Sequence, residues 1–259
     1  NLGSSPSREG LEAGMASWPG SLAFGIGAAL GEIDGLISLE KNGGWLPAPP
    51  SAILLRDNQS LLKEIDFLLT RQQTTQHPLT FKWKIALESQ EKEKALLVQI
   101  LELLPANARL RLDANAALDR LQAQEWATHL LQEPRLEWLE QPLPADDLEG
   151  LTELAKQIPV ALDESLLTNP NLKNSWKSWQ IRRPLLEGDP RLLLKELEDG
   201  VGYRILSTTF ETGIGLRWLH HLAALQQKGP TPTAPGLAPG WCPNSPLFST
   251  DPTVAWEAA

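Results

Sequence analysis

The sequence is short of several things. Its 259 residues include one cysteine, one methionine, one tyrosine and four histidines. A lone Cys242 excludes a disulfide framework and a cysteine-built zinc site, and it suits a reducing, cytoplasmic compartment. His220 and His221 are adjacent, so they diverge on a helix, and a histidine-based metal centre has little support. Basic residues are outnumbered: 23 Lys and Arg face 32 Asp and Glu, giving a formal charge of −9 and a pI near 5.0. A phosphate-backbone binder needs a basic face, so nucleic acid is not an expected partner. No apolar run reaches the roughly 18 residues of a membrane helix, so no membrane partner is expected either. No basic segment leads into an apolar one at the N-terminus, so no signal peptide is visible. The first residue is Asn1, not Met, and the chain is expected to begin partway into a longer protein. Neither G-x-S-x-G nor a P-loop is found. Gly25, Gly27 and Gly31 imitate a dinucleotide fingerprint without a preceding strand; close helix packing is the better reading.

What the chain does have is a rhythm. After a helical pattern over 21–39 and a proline-rich linker at 47–50, short apolar or alternating runs alternate with helical stretches. The strand candidates are 51–55, 80–87, 109–114, 136–141, 160–164, 178–183 and 203–209, with a weaker eighth near 234–237. Helical patterns fill 59–71, 92–104, 117–132, 148–157, 191–198 and 215–227, and 166–179 has room for a short one. Strands that alternate with helices imply parallel pairing through right-handed crossovers. Seven or eight such units make a (β/α) TIM-like barrel the expected α/β fold, ahead of an open doubly wound sheet. The Pro- and Gly-rich end, 230–259, is expected to be irregular. Ten of the 16 aromatic residues are Trp, mostly on expected strands and helices, which favours packing over a base-stacking platform.

In a barrel, catalytic groups come from the C-terminal ends of strands. The second strand, FKWKIAL, places Lys82 and Lys84 on one face and Trp83 and Ile85 on the other, so the lysines are expected inside. The third strand ends in Asp113, the fourth in Glu140, and the fifth in Asp163 and Glu164. Positions 84, 113, 140 and 163 are 29, 27 and 23 residues apart, each about one βα unit. Acids at strand ends can also serve as helix N-caps or solvated loop charges. Three in successive units, facing two lysines, suit a hard divalent cation such as magnesium. Interior lysines near one another are expected to have depressed pKa values, which would let one accept a proton from a carbon acid. Abstraction of a proton α to the carboxylate of a small-molecule substrate is the reaction class these residues imply. Asp146, Asp147 and Glu149 read as helix N-terminal acids, and Glu211 as a rim acid or an orienting group.

FKWKI, RLDAN, LEQP, ALDES, Arg182-Arg183-Pro184 and STTFETGIG, in that order, resemble the enolase superfamily, and within it the muconate-lactonizing subgroup. The resemblance runs from about residue 24 to 237. It implies an enolase-type (β/α)7-8 barrel over 46–240 and an irregular tail over 241–259. Ahead of the barrel, 1–45 would be the last part of an α+β capping domain whose front portion is absent. It implies Lys84 as the acid/base, Lys82 as its electrostatic partner, and Asp113, Glu140 and Asp163 as ligands of Mg2+. Asn115, Ser207, Thr209 and Gly213 would meet the substrate, with Gly213 and Gly215 opening a helix. The family's sixth-strand lysine is replaced here by Arg183, a poor general base but a source of positive charge for an anionic intermediate. Arg182 as the functional arginine is the alternative. That replacement argues against two-base racemases. The implied reaction is loss of water from a hydroxylated cyclohexadiene carboxylate with a succinyl chain, giving o-succinylbenzoate for menaquinone or phylloquinone synthesis. Another cycloisomerase or acid-sugar dehydratase, or a catalytically impaired barrel, remain alternatives, and the oligomeric state is left open.

Overall fold

The computed structural model describes residues 6–38, 43–55, 58–71 and 78–259. They form two compact units, one of Ala52–Ile181 and one of Asn1–Ser51 with Arg182–Ala259. Among the described residues no helix is long and apolar enough to cross a membrane.

The unit Ala52–Ile181 is a parallel βα series. Its strands are β1 (Ile53–Leu54), β2 (Thr80–Lys84), β3 (Arg109–Asp113), β4 (Leu136–Glu140), β5 (Val160–Leu162) and β6 (Trp179–Arg182), each paired in parallel with its neighbour in chain order. Helices Leu61–Arg71, Gln90–Leu103, Arg120–Leu130 and Leu148–Ala155 return the chain between them. Local signals explain the helix starts. Asp119 and Gln122 make a reciprocal capping box on Arg120–Leu130, and Asp147 caps Leu148–Ala155 with Glu149 in the first turn. The helix-terminal reading of Asp147 and Glu149 is thus borne out. Phe81, Trp83, Leu110, Leu112, Leu139, Val160 and Leu162 form the buried face, under Ile65, Leu97, Ile100 and Trp126.

Strands end earlier than their apolar runs. β2 stops at Lys84, and Ala86 takes φ +63°; β3 stops at Asp113, and Asn115 and Ala116 take φ +44° and +62°. Non-glycine residues in this region are strained, and here they sit just past the strand ends. The single helix expected over 166–179 is two short ones, Glu164–Thr168 and Leu172–Ser175, because Pro170 between them cannot continue an α-helical hydrogen-bond ladder.

The other unit holds β7 (Arg204–Leu206) and the helices Arg8–Gly14, Gly20–Ile33, Pro190–Glu198 and Gly213–Lys228. Ser207 N–H donates to the Arg182 carbonyl, tying the end of β6 to β7. The expected eighth strand is reduced to one bridge, Ser207 to Gly236, supported by Ser51, whose hydroxyl donates to Pro235 O and accepts from Leu237 N–H. The helix expected to reach 39 ends at Ile33. Gly35 adopts φ +63°, and the Leu36 and Gly35 N–H groups fold back on Gly31 and Glu32, a glycine-terminated cap. Close packing explains Gly27 and Gly31: a Cβ on Gly27 would lie 2.3 Å from the Asp189 carboxylate, and one on Gly31 3.0 Å from Trp218. The end of the chain is less irregular than expected. Asp251 accepts the Thr253 and Val254 N–H groups and Pro252 opens a helix, Pro252–Glu257.

Candidate active site at the strand ends

The pairing register does much of the positioning. Lys84 of β2 is the Cα partner of Asp113 of β3, and Asp113 is the partner of Glu140 of β4. One step down, Lys82, Arg111 and Trp138 are partners in the same way. Alternation along β2 buries Phe81 and Trp83 and leaves Lys82 and Lys84 half-buried on the other face, as the FKWK pattern requires. Asp163 follows the last residue of β5, at the start of helix Glu164–Thr168, and its side chain makes no capping bond there. Asp113, Glu140 and Asp163 are all buried.

Lys82 Nζ lies 2.8 Å from Asp113 Oδ2 and 2.6 Å from Glu140 Oε1. Burial alone would lower its pKa, but Glu140 and Asp113 outweigh burial and raise it. The expected depression of the interior lysines is therefore corrected at Lys82: it is a firmly held ammonium ion. Glu140 shows the reverse strain. Burial, with Asp113 and Asp163 adding negative charge, pushes its carboxyl up to about 7 despite Lys82. Glu140 Oε2 also accepts the indole N–H of Trp138 at 3.3 Å. Beneath it Arg111 stacks 4.1 Å over the Trp138 ring and pairs with Glu137 at 2.6 Å.

Lys84 donates to Asn115 Oδ1 at 2.7 Å, and the Asn115 amide donates onward to Glu164 Oε1 at 3.3 Å. Asn115 N–H in turn donates to Asp113 Oδ1 at 3.0 Å. The strained φ of Asn115 allows one short side chain to touch both a lysine and an acid. Glu164 Oε2 is buried without a hydrogen-bond partner, and burial with Asp163 nearby raises its pKa. Lys82, Lys84, Asp113, Asn115, Glu140 and Asp163 are thus brought to one set of strand ends. Among the described residues, no three His, Cys, Asp or Glu side chains are drawn together as a ready-made metal cluster; the Lys82 ammonium holds two of the acids instead. The donor chemistry still suits a hard divalent cation. It offers buried carboxylate oxygens, no sulfur or imidazole, and an arrangement that already draws in a cation.

The remaining expected site residues lie in the other unit. Arg183 donates through its guanidinium to Thr208 O at 2.9 Å, and its backbone N–H donates to Glu187 Oε1. Arg182 is buried and clasped by Glu187 and Glu196, a structural role that leaves Arg183 as the better functional candidate. Ser207 is buried at the bridge with Gly236. The Thr209 hydroxyl donates to Glu211, which also accepts from the Thr208 hydroxyl, so Glu211 is a buried anchor of the turn. Gly213 opens the helix Gly213–Lys228, and a Cβ there would meet the Ser249 carbonyl at 1.6 Å.

Two residues of the first unit escaped the sequence reading. Glu93 is buried and accepts the N–H groups of Ala86, Leu87 and Glu88, fixing the loop after Lys84. Gln141, at φ +33° and fully buried, spans the ends of β4 and β5. A glutamate four residues after Ser89 and a glutamine beside Glu140 were the only traces of them.

Residues 70–177 match the enolase C-terminal domain-like family. An o-succinylbenzoate synthase of Thermosynechococcus vestitus is 33% identical over 183 residues, covering 67% of this chain and 55% of that protein. One from Pasteurella multocida is 27% identical over 230 residues, covering 84% of this chain and 63% of that protein. The chain thus spans about 55–63% of the length of these curated relatives. The crystal structure of o-succinylbenzoate synthase from Thermosynechococcus elongatus BP-1, complexed with Mg in its active site, superposes with a TM-score of 0.79 at 27% identity. That match covers 100% of this chain and 80% of the other. The resemblance to the enolase superfamily and its o-succinylbenzoate synthases is borne out, and the fold is α/β of the enolase type.

Proposed function

With an enolase C-terminal-domain-like region across residues 70–177, we propose that this chain carries the proton-abstracting half of a lyase of the o-succinylbenzoate synthase type. The reaction removes a proton α to the carboxylate of a succinyl-bearing hydroxycyclohexadiene and expels water, leaving an aromatic ring. The observation that carries the reading is the register row Lys84, Asp113 and Glu140, with the Lys82 ammonium between two of those acids.

Asp113, Glu140 and Asp163 are the residues that would hold Mg2+, which would supply positive charge against the substrate carboxylate as the proton leaves. Lys84 takes that proton, and the same lysine, on the same face, assists departure of hydroxide. Asn115 holds the Lys84 amine in place through the 2.7 Å bond to its side-chain oxygen. Lys82 keeps the acid pair from repelling itself apart. Arg183 is assigned electrostatic stabilisation of the anionic intermediate, and Ser207, Thr209 and Gly213 are assigned to substrate contact. The division into a capping-domain segment over 1–45, a barrel over 46–240 and a tail over 241–259 is part of the same reading.

The test is spectroscopic. The diene absorbance of the substrate is followed after adding the protein, with and without Mg2+. Magnesium-dependent decay with o-succinylbenzoate as product is expected. Decay to a different product would move the assignment to another member of the subgroup. An unchanged spectrum with Mg2+ present would leave an impaired barrel as the answer. In Arg183→Ala a reduced rate is expected, and a full parental rate would remove Arg183 alone from the assignment.

A further inference from the structure

Gln141 stands at a junction of the three strand ends that carry Asp113, Glu140 and Asp163. Its peptide N–H donates to the Ala161 carbonyl of β5 at 2.8 Å. Its own carbonyl accepts from Ala116 N–H, just past β3, at 2.7 Å. Its side chain reaches further: Oε1 accepts the N–H groups of Asp163 and Ser165, both at 3.1 Å. Nε2 donates to Leu143 O at 2.9 Å and to Ser165 Oγ at 2.8 Å, and that hydroxyl donates to Ala145 O. The amide is fully buried and uses both donors and both acceptor positions. A residue at φ +33° is held against its backbone preference, so the surrounding bonds must over-determine it.

We propose that Gln141 is a positioning residue that fixes the separation of Asp163 from Glu140 and Asp113, and through that spacing the affinity and size selectivity of the cation site. The inference rests on the proposed magnesium site. Glu140 precedes Gln141 in the chain, so its backbone cannot move without it. Asp163 hangs from the Gln141 side chain by its own N–H. Without that amide the Asp163 N–H loses its bond to Gln141, and the spacing between the carboxylates is less firmly set. Mg2+ requires short, near-octahedral coordination, whereas Ca2+ tolerates longer and more variable bonds. Loosening the clamp therefore penalises the smaller ion more.

Gln180 provides an internal control. It is an equally buried amide on β6, and it donates to Lys173 O and Trp176 O rather than to any of the three acids. The experiment measures Mn2+ binding by electron paramagnetic resonance, with Mg2+ and Ca2+ as competitors, in the parent, Gln141→Met and Gln180→Met, alongside each melting temperature. Both variants are expected to melt lower. Gln141→Met should weaken Mg2+ by about tenfold or more, as loss of a ligand-orienting partner does, and should narrow the preference for Mg2+ over Ca2+. Gln180→Met should leave both quantities where the parent has them. If Gln141→Met does not fold, Gln141→Asn decides, since it keeps a polar amide at the position but is one methylene too short to hold both N–H groups on its oxygen. Weaker Mg2+ in that variant supports the inference, and unchanged Mg2+ overturns it. A parent that binds no divalent cation overturns the magnesium reading and this inference with it. A parent that binds, beside a folded Gln141→Met that binds equally well, overturns this inference alone.

Discussion

Buried charge is handled in opposite ways in the two units. In Ala52–Ile181, Asp113, Glu140, Asp163 and Glu164 crowd the strand ends around Lys82 and Lys84, and the strain shows in a Glu140 carboxyl raised to about 7. In the other unit, Arg182 lies between Glu187 and Glu196, and Glu196 also binds Arg204. There the charges match one for one, and Arg182 keeps a raised pKa because the two carboxylates outweigh its burial. A balanced buried network is satisfied and inert, whereas an unbalanced one retains an appetite for a further cation or proton. The imbalance, more than the burial, separates the candidate site from the scaffold.

The largest effect should come from the unbalanced side. Lys84→Ala removes the proposed base, and kcat is expected to fall about a thousandfold, within the usual range for such groups. That corresponds to about 4 kcal/mol of barrier. Mg2+ binding should survive, because Lys84 pairs with Asn115 rather than with the acids. Turnover by Lys84→Ala at the parental rate would end the mechanism.

On the balanced side the loss should be in stability. Arg182→Met takes the guanidinium from Glu187, which lies almost wholly buried, and removing one partner of a buried pair costs about 3 kcal/mol or somewhat more. Urea unfolding at neutral pH would read it as a lower midpoint with an unchanged slope. Mg2+ affinity should not move. Weaker Mg2+ binding at undiminished stability would erase the distinction between the two regions.

Much of this was legible in sequence because alternation reports directly on which face a residue occupies. FKWK could place Lys82 and Lys84 opposite Trp83 without any structure, and acids at successive strand ends follow from the βα spacing. What was illegible depends on backbone angles and on distant partners. Nothing in the letters LEQP says that Gln141 turns to φ +33° and reaches two peptides beyond β5. The capture of three N–H groups by Glu93 needs the loop at 86–88 to fold back first. The pKa of Lys82 goes the other way from expectation because spacing places the acids at the same strand ends but not at 2.6–2.8 Å from its ammonium. The helix Pro252–Glu257 was hidden by composition: proline at a first turn was read as a breaker when Asp251 had made it a start.

Acid should distinguish the regions through a histidine. His221 is buried, its Nδ1 accepts the Leu46 N–H at 3.2 Å, and Nε2 has no partner. Burial, with Lys228 adding to it, lowers its pKa from 6.5 to about 4. The unfolded chain therefore binds a proton on this residue between those values and the folded chain does not. Its contribution to stability is complete above pH 6.5 and is lost as the pH falls toward 4. His220 shifts in the same direction, so the comparison must isolate one residue. Urea midpoints at pH 7.5 and 4.5 in parent and His221→Met should show the smaller drop in the variant. Equal drops would remove His221 from the account of acid sensitivity.

The smallest effect concerns two glycines on one helix. Within Gly20–Ile33, a Cβ at Gly25 meets nothing within 4 Å, whereas one at Gly27 meets Asp189 at 2.3 Å on its carboxylate and 3.1 Å on its Cα. Alanine has the higher helix propensity and loses less backbone freedom on folding, so Gly25→Ala should stabilise the protein by about 0.5–1 kcal/mol. Gly27→Ala must push away the side chain that caps Pro190–Glu198 through the Arg191 N–H, and should destabilise it. Thermal melts of the two variants test the pair. Opposite signs are required, because both substitutions make the same chemical change on the same helix and differ only in what stands opposite. If Gly27→Ala raised the melting temperature as much as Gly25→Ala, the close approach of Asp189 would not be what keeps position 27 a glycine.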